Sequence, residues 1–138
     1  MTVRGVGMDI VDVAGFASQV AESGTVFEEL VFTAYELEVA DRLRGSRRDQ
    51  FLASRFAVKE ALVKAWFAAL PTGAPVLPET ETWAGIEVHN DHLGRPHLSL
   101  LDPVSKAFSD SMGEVALHVS LSHETLFASA VVIIDDAA

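Results

Sequence analysis

From Arg47 to Leu70 the chain runs without a glycine or proline, and its apolar residues do not keep to one stripe. At helical spacing Leu52, Phe56, Val63 and Leu70 share one side, while Phe51, Val58 and Leu62 lie on the opposite one. A helix that is apolar on two sides has to be covered on both, so it is central to its fold or sandwiched by a partner. Pro71 and Gly73 end it. The remaining elements must be arranged around this rod.

Those elements are short. Val3 to Val13 reads as a strand, with Val6, Met8 and Ile10 on one face and Gly7, Asp9 and Val11 on the other. Helices are expected at Ala14–Ala21 and Val26–Leu30, broken by Ser23-Gly24. Thr33 and Glu36 fit a capping box that opens a helix running to Arg44 and stopping at Gly45. Thr72 to Thr82, with Pro75 and Pro78, reads as a loop. Ile86–Asn90 and His97–Leu100 read as strands joined through Asp91-His92-Leu93-Gly94. Asp102 is placed as N-cap and Pro103 as the first residue of a helix ending at Gly113. Val115 to Ser122 alternates as a half-buried strand, and Leu126–Ile134 returns antiparallel after a tight turn at His123-Glu124-Thr125. The expected class is α+β, an antiparallel sheet packed with a long central helix and shorter helices. The 138 residues are expected to form one domain, 1–138.

Charge and composition narrow the function. The net charge of −10 argues against non-specific nucleic-acid binding, which depends on neutralising phosphates with Lys and Arg. Between Arg42 and Lys64, however, seven basic residues face two acidic ones, whereas residues 1–41 hold eight acids against Arg4 alone. A basic island in an acidic molecule suits a compact polyanion, or is a solvated helix face. There are no cysteines, which excludes disulfides and thiolate chemistry and fits a reducing compartment. No secretory signal order opens the chain, and Ala128–Ile134 is too short to span a bilayer, so a cytoplasmic protein without membrane contact is expected. Hydrophobic residues make up 49% of the chain, enough to expect a subunit interface.

The chemistry-bearing residues are Asp9, in an otherwise apolar and glycine strand, and Glu60, one helical turn before Lys64. Mg²⁺ takes oxygen ligands, commonly one or two carboxylates completed by phosphates and water. Singly, Asp9 also reads as a strand-end surface acid and Glu60–Lys64 as a routine ion pair. Arg55, Lys59 and Lys64 are phosphate ligands or solvated charges. His123 ends a strand, where it contacts phosphate, polarises an attacking group as a catalytic residue, or serves the turn. His89, His92, His97 and His118 lack metal-ligand spacing. Gly5-Val6-Gly7 is weak as a nucleotide loop because no helix follows directly.

As an ordered set the motifs become specific. They are Val6-Gly7-Met8-Asp9-Ile10, Phe32-Thr33 with Glu36, Arg55-Phe56-Ala57-Val58-Lys59-Glu60-Ala61 within a longer block from Phe51, Ile86-Glu87-Val88, Gly94-Arg95-Pro96, and Ser120-Leu121-Ser122-His123. With them the chain resembles, end to end, the holo-acyl-carrier-protein synthase family of 4′-phosphopantetheinyl transferases. The resemblance implies transfer of 4′-phosphopantetheine from coenzyme A to a serine of an apo acyl carrier protein or a carrier domain of a fatty acid synthase, releasing adenosine 3′,5′-bisphosphate. It puts Asp9 and Glu60 on magnesium-ligand positions (Mn²⁺ also being hard enough for such ligands), Lys64 on the pyrophosphate, and Arg55 and His123 at coenzyme A phosphates. Gly94, Arg95 and Pro96 match a turn near the adenine. It also implies a homotrimer with sites at subunit boundaries, His123 facing the two acids of a neighbour and the partner covering the doubly apolar helix.

One departure stands out. Ala14–Glu22 carries no basic residue, and Gly15 occupies a position where the family often has arginine, so docking of an acidic carrier falls to Phe16 and Val20 or to Arg42–Arg48. The alternatives to an active transferase are a coenzyme A-binding or scaffold homologue without carrier turnover, and a generic nucleotide-binding α+β module.

Overall fold

The computed structural model describes residues 2–72, 74 and 77–137, residue 25 by its backbone alone. Its elements are β1 (Val3–Asp12), α1 (Val13–Ser23), α2 (Thr25–Val31), α3 (Ala34–Ala40), α4 (Ser46–Ala69), α5 (Glu79–Thr82) with a 3₁₀ turn Trp83–Gly85, β2 (Ile86–Asn90), β3 (Pro96–Leu100), α6 (Val104–Met112), β4 (Val115–His123) and β5 (Phe127–Asp136). β5 is the centre of a three-stranded antiparallel sheet in the order β1-β5-β4, and β2 and β3 form a hairpin. The class is α+β, with α4 at its centre.

Alanine, leucine, arginine and lysine dominate α4, all strong helix formers. It ends where Leu70 turns extended, the conformation favoured before a proline. Gly73, the second stop expected, lies outside the described residues. Both apolar sides of α4 are covered within one chain. Val58, Leu62, Val63 and Trp66 pack with Ile86, Val88, Phe108 and the inner face of β5. Leu52 and Ala53 pack with Phe16, Phe27, Val31 and Phe32 from α1, α2 and the following turn. No partner is needed to account for the two-sided pattern. Phe16 is buried in that second cluster, which leaves it little surface to offer a partner.

β1 lies against α4 through its glycines. A Cβ on Gly5 or Gly7 would collide with the carbonyl oxygens of Ala65 and Ala61, so only glycine lets the helix backbone sit directly on the strand. These glycines are packing residues. The opposite face of β1 is bare, with Val6, Met8 and Ile10 exposed by 53%, 63% and 61%. Apolar residues line up there without cover.

Three local expectations are corrected. Residues 79–82 are helical, inside the stretch read as a loop. Asp102 does not cap α6, which starts at Val104 without a side-chain cap, its entry held by Ser105 donating to the Leu101 carbonyl. α3 stops at Ala40, where bonds from Arg42 to Val39 and from Leu43 to Ala40 tighten the exit into a three-residue turn. The capping box is present, with Thr33 N–H donating to Glu36 Oε1 at 3.0 Å and Glu36 N–H to Thr33 Oγ1 at 3.2 Å. No helix among the described residues is long and apolar enough to cross a membrane.

Candidate active site

β1 and α4 bring Asp9, Glu60 and Lys64 together. The glycine contact that presses strand on helix also turns Asp9 toward α4, since it shares the face of Gly5 and Gly7. Lys64 Nζ donates to Asp9 Oδ1 at 3.0 Å and to the Met8 carbonyl at 3.1 Å. Its ion pair is therefore with the strand. Glu60 instead accepts from Trp83 Nε1 at 2.7 Å through Oε1. Both acids line a cleft of about 480 Å³, shared with Asp12, Glu79, Phe16 and Gln19.

Charge in this cleft is out of balance. Burial holds the Glu60 carboxyl above its ordinary range, and Glu79 and Asp9 push the same way against the Trp83 N–H and Lys64. One Asp12 oxygen is committed to capping α1, accepting from Gly15 N–H at 2.8 Å. Among the described residues no three His, Cys, Asp or Glu side chains form a closed metal cage. Two carboxylates with a surplus of negative charge and an open cleft suit a hard cation that keeps water and substrate phosphates as its other ligands. The residues fit Mg²⁺.

The neighbouring Lys59 plays a different part. It is fully buried, 2.7 Å from Glu36 Oε1, and donates to the Trp83 carbonyl at 2.9 Å and to the Ile86 carbonyl. Burial lowers its pKa while Glu36 opposes the shift. Glu36 Oε2 also accepts from Val88 N–H at 2.9 Å. This ammonium joins α3, α4 and β2 from inside, its donors taken by three protein oxygens.

Arg55 and His123 meet elsewhere, in a cleft of about 280 Å³ with Arg47, Gln50, Phe51 and Asn90. His123 Nδ1 lies 3.0 Å from Gln50 Oε1. Arg55 is buried, its guanidinium 3.9 Å from the Phe51 ring centre and donating to Ser54 Oγ at 2.8 Å, while its Nε has no partner. Desolvation lowers its pKa to about 10. A buried cation with an unused donor beside a histidine is suited to an anion.

Gly94, Arg95 and Pro96 form a third locality. Gly94 takes a positive φ of 79° in the turn, and Asp91 accepts from Arg95 N–H at 2.9 Å and Nε at 2.6 Å. The Arg95 backbone bond, with further bonds from Arg95, His97 and Leu93, holds the Asp91 carboxyl down at about 2. Arg95 and Pro96 line a cleft of about 530 Å³ between β3 and β4. The basic island of the sequence is thus dispersed, Arg48 pairing with Glu28 and Asp41, and Arg42 with Glu38.

Residues 5–120 match the 4′-phosphopantetheinyl transferase superfamily. The holo-[acyl-carrier-protein] synthase of Mycobacterium leprae is 42% identical over 135 residues, 98% of each chain. The chain belongs to the holo-acyl-carrier-protein synthase family. The Corynebacterium efficiens synthase is 38% identical over 96% of this chain and 94% of its own. Among solved structures, an ACPS–CoA complex named for Chronobacterium ammoniagenes superposes with a TM-score of 0.87, at 34% identity and 100% coverage of both chains. The Mycobacterium tuberculosis acyl carrier protein synthase superposes at 0.74 with 32% identity, covering 99% of this chain and 100% of its own. As a member of this family the chain is a transferase.

Residues that sequence reasoning passed over complete both clefts. Asp12 was legible as a cap, standing just before a helical run. Trp83, Glu79 and Gln50 carry no local pattern, and only packing takes them to Glu60 and His123.

Proposed function

We propose that this enzyme transfers 4′-phosphopantetheine from coenzyme A to a serine of an apo acyl carrier protein, or of a carrier domain in a fatty acid synthase. The observation that carries this reading is the convergence of Asp9 and Glu60 in one acid-rich cleft, with Lys64 bonded to Asp9. The names of the relatives, and the coenzyme A complex of the Chronobacterium ammoniagenes protein, support the substrates. In this reading residues 1–138 act as one domain in the cytoplasm.

Asp9 and Glu60 hold Mg²⁺, with Mn²⁺ an acceptable substitute. When bound, the ion offsets charge on the diphosphate and on the leaving group. Lys64 adds a positive charge beside the pyrophosphate. The serine oxygen forms a bond to the phosphorus bearing pantetheine as the bond to the bridging oxygen breaks. The electron pair departs on adenosine 3′,5′-bisphosphate, and the serine proton goes to Glu60 or to a water in the cleft. Arg55 and His123 reach the coenzyme A phosphates, and Gly94-Arg95-Pro96 flanks the adenine.

In this reading the site is built from more than one copy of the chain. Asp9 stands on β1 and His123 on β4, the two edges of the sheet, with β5 between them and different clefts around them. The bare Val6, Met8 and Ile10 face supports a homotrimer in which one subunit's Asp9 cleft meets the His123 cleft of the next. Incubation with coenzyme A, Mg²⁺ and an apo carrier, followed by weighing the carrier, tests the function. A gain of one phosphopantetheine is expected; coenzyme A binding without gain would instead mark a homologue without turnover.

A further inference from the structure

Glu60 lies at the end of a series of contacts that starts deep in the core and passes through Trp83. Glu36 binds Lys59 at 2.7 Å, Lys59 binds the Trp83 carbonyl at 2.9 Å, and the indole Nε1 of Trp83 binds Glu60 Oε1 at 2.7 Å. The Trp83 ring is held by Phe56 and Phe27, with centroids 5.6 and 6.4 Å away. Its backbone and its ring are therefore both fixed, and its one donor points at the carboxylate. An indole N–H can donate and never accept, so it binds Glu60 only as an acceptor.

We infer that Trp83 is a positioning residue, whose N–H occupies Oε1 of Glu60 and leaves Oε2 as the single oxygen presented to the cation. The inference rests on the reading of Asp9 and Glu60 as Mg²⁺ ligands. Its physical content is preorganisation. A carboxylate free to rotate would have to be ordered on binding, and could turn both oxygens to the ion or neither. Because the indole touches the ligand directly, Trp83 also becomes a built-in optical reporter. Trp66, the other tryptophan, is occupied with Ser111 Oγ at 2.9 Å on the α6 side and supplies the silent background.

The test titrates Mg²⁺, with and without coenzyme A, into the parent protein, Trp83→Phe and Glu60→Ala, following heat of binding and tryptophan emission. Phenylalanine keeps the ring and drops the donor. Trp83→Phe is expected to bind Mg²⁺ about tenfold more weakly or worse, the usual cost of losing an outer partner of a metal ligand. The emission change of the parent should vanish although Trp66 remains, and excess Mg²⁺ should restore kcat with KM for the carrier unchanged. A merely structural role would not be rescued by the ion. If Trp83→Phe does not fold, 3-benzothienylalanine at this position keeps the shape with sulfur in place of N–H, and the same loss of affinity is expected. Affinity within twofold of the parent in a folded variant overturns the inference while leaving the Mg²⁺ reading intact. Parent-like binding by Glu60→Ala overturns both.

Discussion

The two clefts on either side of α4 differ in charge and in burial. The Asp9–Glu60 cleft is acidic and open, with Lys64 its nearest cation and that side chain 54% exposed. The Arg55–His123 cleft is basic, and its guanidinium is buried against Phe51 with a donor to spare. One is built to attract a cation, the other an anion. The proposed metal-bound diphosphate would need both, and a single chain sets them on opposite edges of its sheet. On the proposed function, the two halves act together where neighbouring subunits bring them to one substrate.

The comparison breaks most sharply if the acidic cleft proves dispensable. Asp9→Ala or Glu60→Ala is expected to leave almost no Mg²⁺-dependent transfer by carrier mass, with the assembly intact by light scattering; full activity in either would discard the assignment. Mixing Glu60→Ala subunits with His123→Ala subunits should then recover activity. In randomly mixed cyclic assemblies on the order of a quarter of the sites would carry both intact halves. No recovery would mean that the halves do not meet across subunits. Lys64→Ala, which removes one charge-stabilising donor, should raise the barrier by about 2–4 kcal/mol at most, read from kcat.

Smaller effects sharpen the contrast. Arg55→Lys keeps a charge but loses the guanidinium over the Phe51 ring, so KM for coenzyme A should rise about tenfold with a lesser change in kcat. An unchanged KM would remove the anion role from that cleft. The least effect concerns the carrier. α1 has no basic residue, and the net charge is −10. The rate with an acidic carrier should therefore vary little between low and moderate salt, because long-range steering has nothing to act through. A steep fall would point to Arg44 or Arg47, which are exposed beside the basic cleft.

Much of this was legible before the fold was known, and what escaped did so for identifiable reasons. The capping box at Thr33 and Glu36 follows from spacing alone because the bonds it makes are local. The ends of α4 follow from Gly45 and Pro71, which act on the backbone of their own neighbours. Asp102 failed as a cap because α6 takes its entry from a backbone contact at Leu101. Lys59 and Lys64 sit on the same helix with the same chemistry, yet one is sealed against Glu36 and the other reaches Asp9. Helical spacing does not separate them, since the difference lies in what packs against each face. The same holds for β1, where the glycine face is buried and the larger apolar face is bare, the reverse of what hydrophobicity alone suggests.

By itself the sequence determined the family, the α+β class and the local punctuation, because motif order, periodicity and capping are properties of neighbours along the chain. Tertiary structure alone decided which lysine is structural, which oxygen of Glu60 is taken by Trp83, and that the acidic and basic residues open into separate clefts. Those outcomes depend on contacts between residues distant in sequence, and such contacts exist only once the helix has been laid across the glycines of the strand.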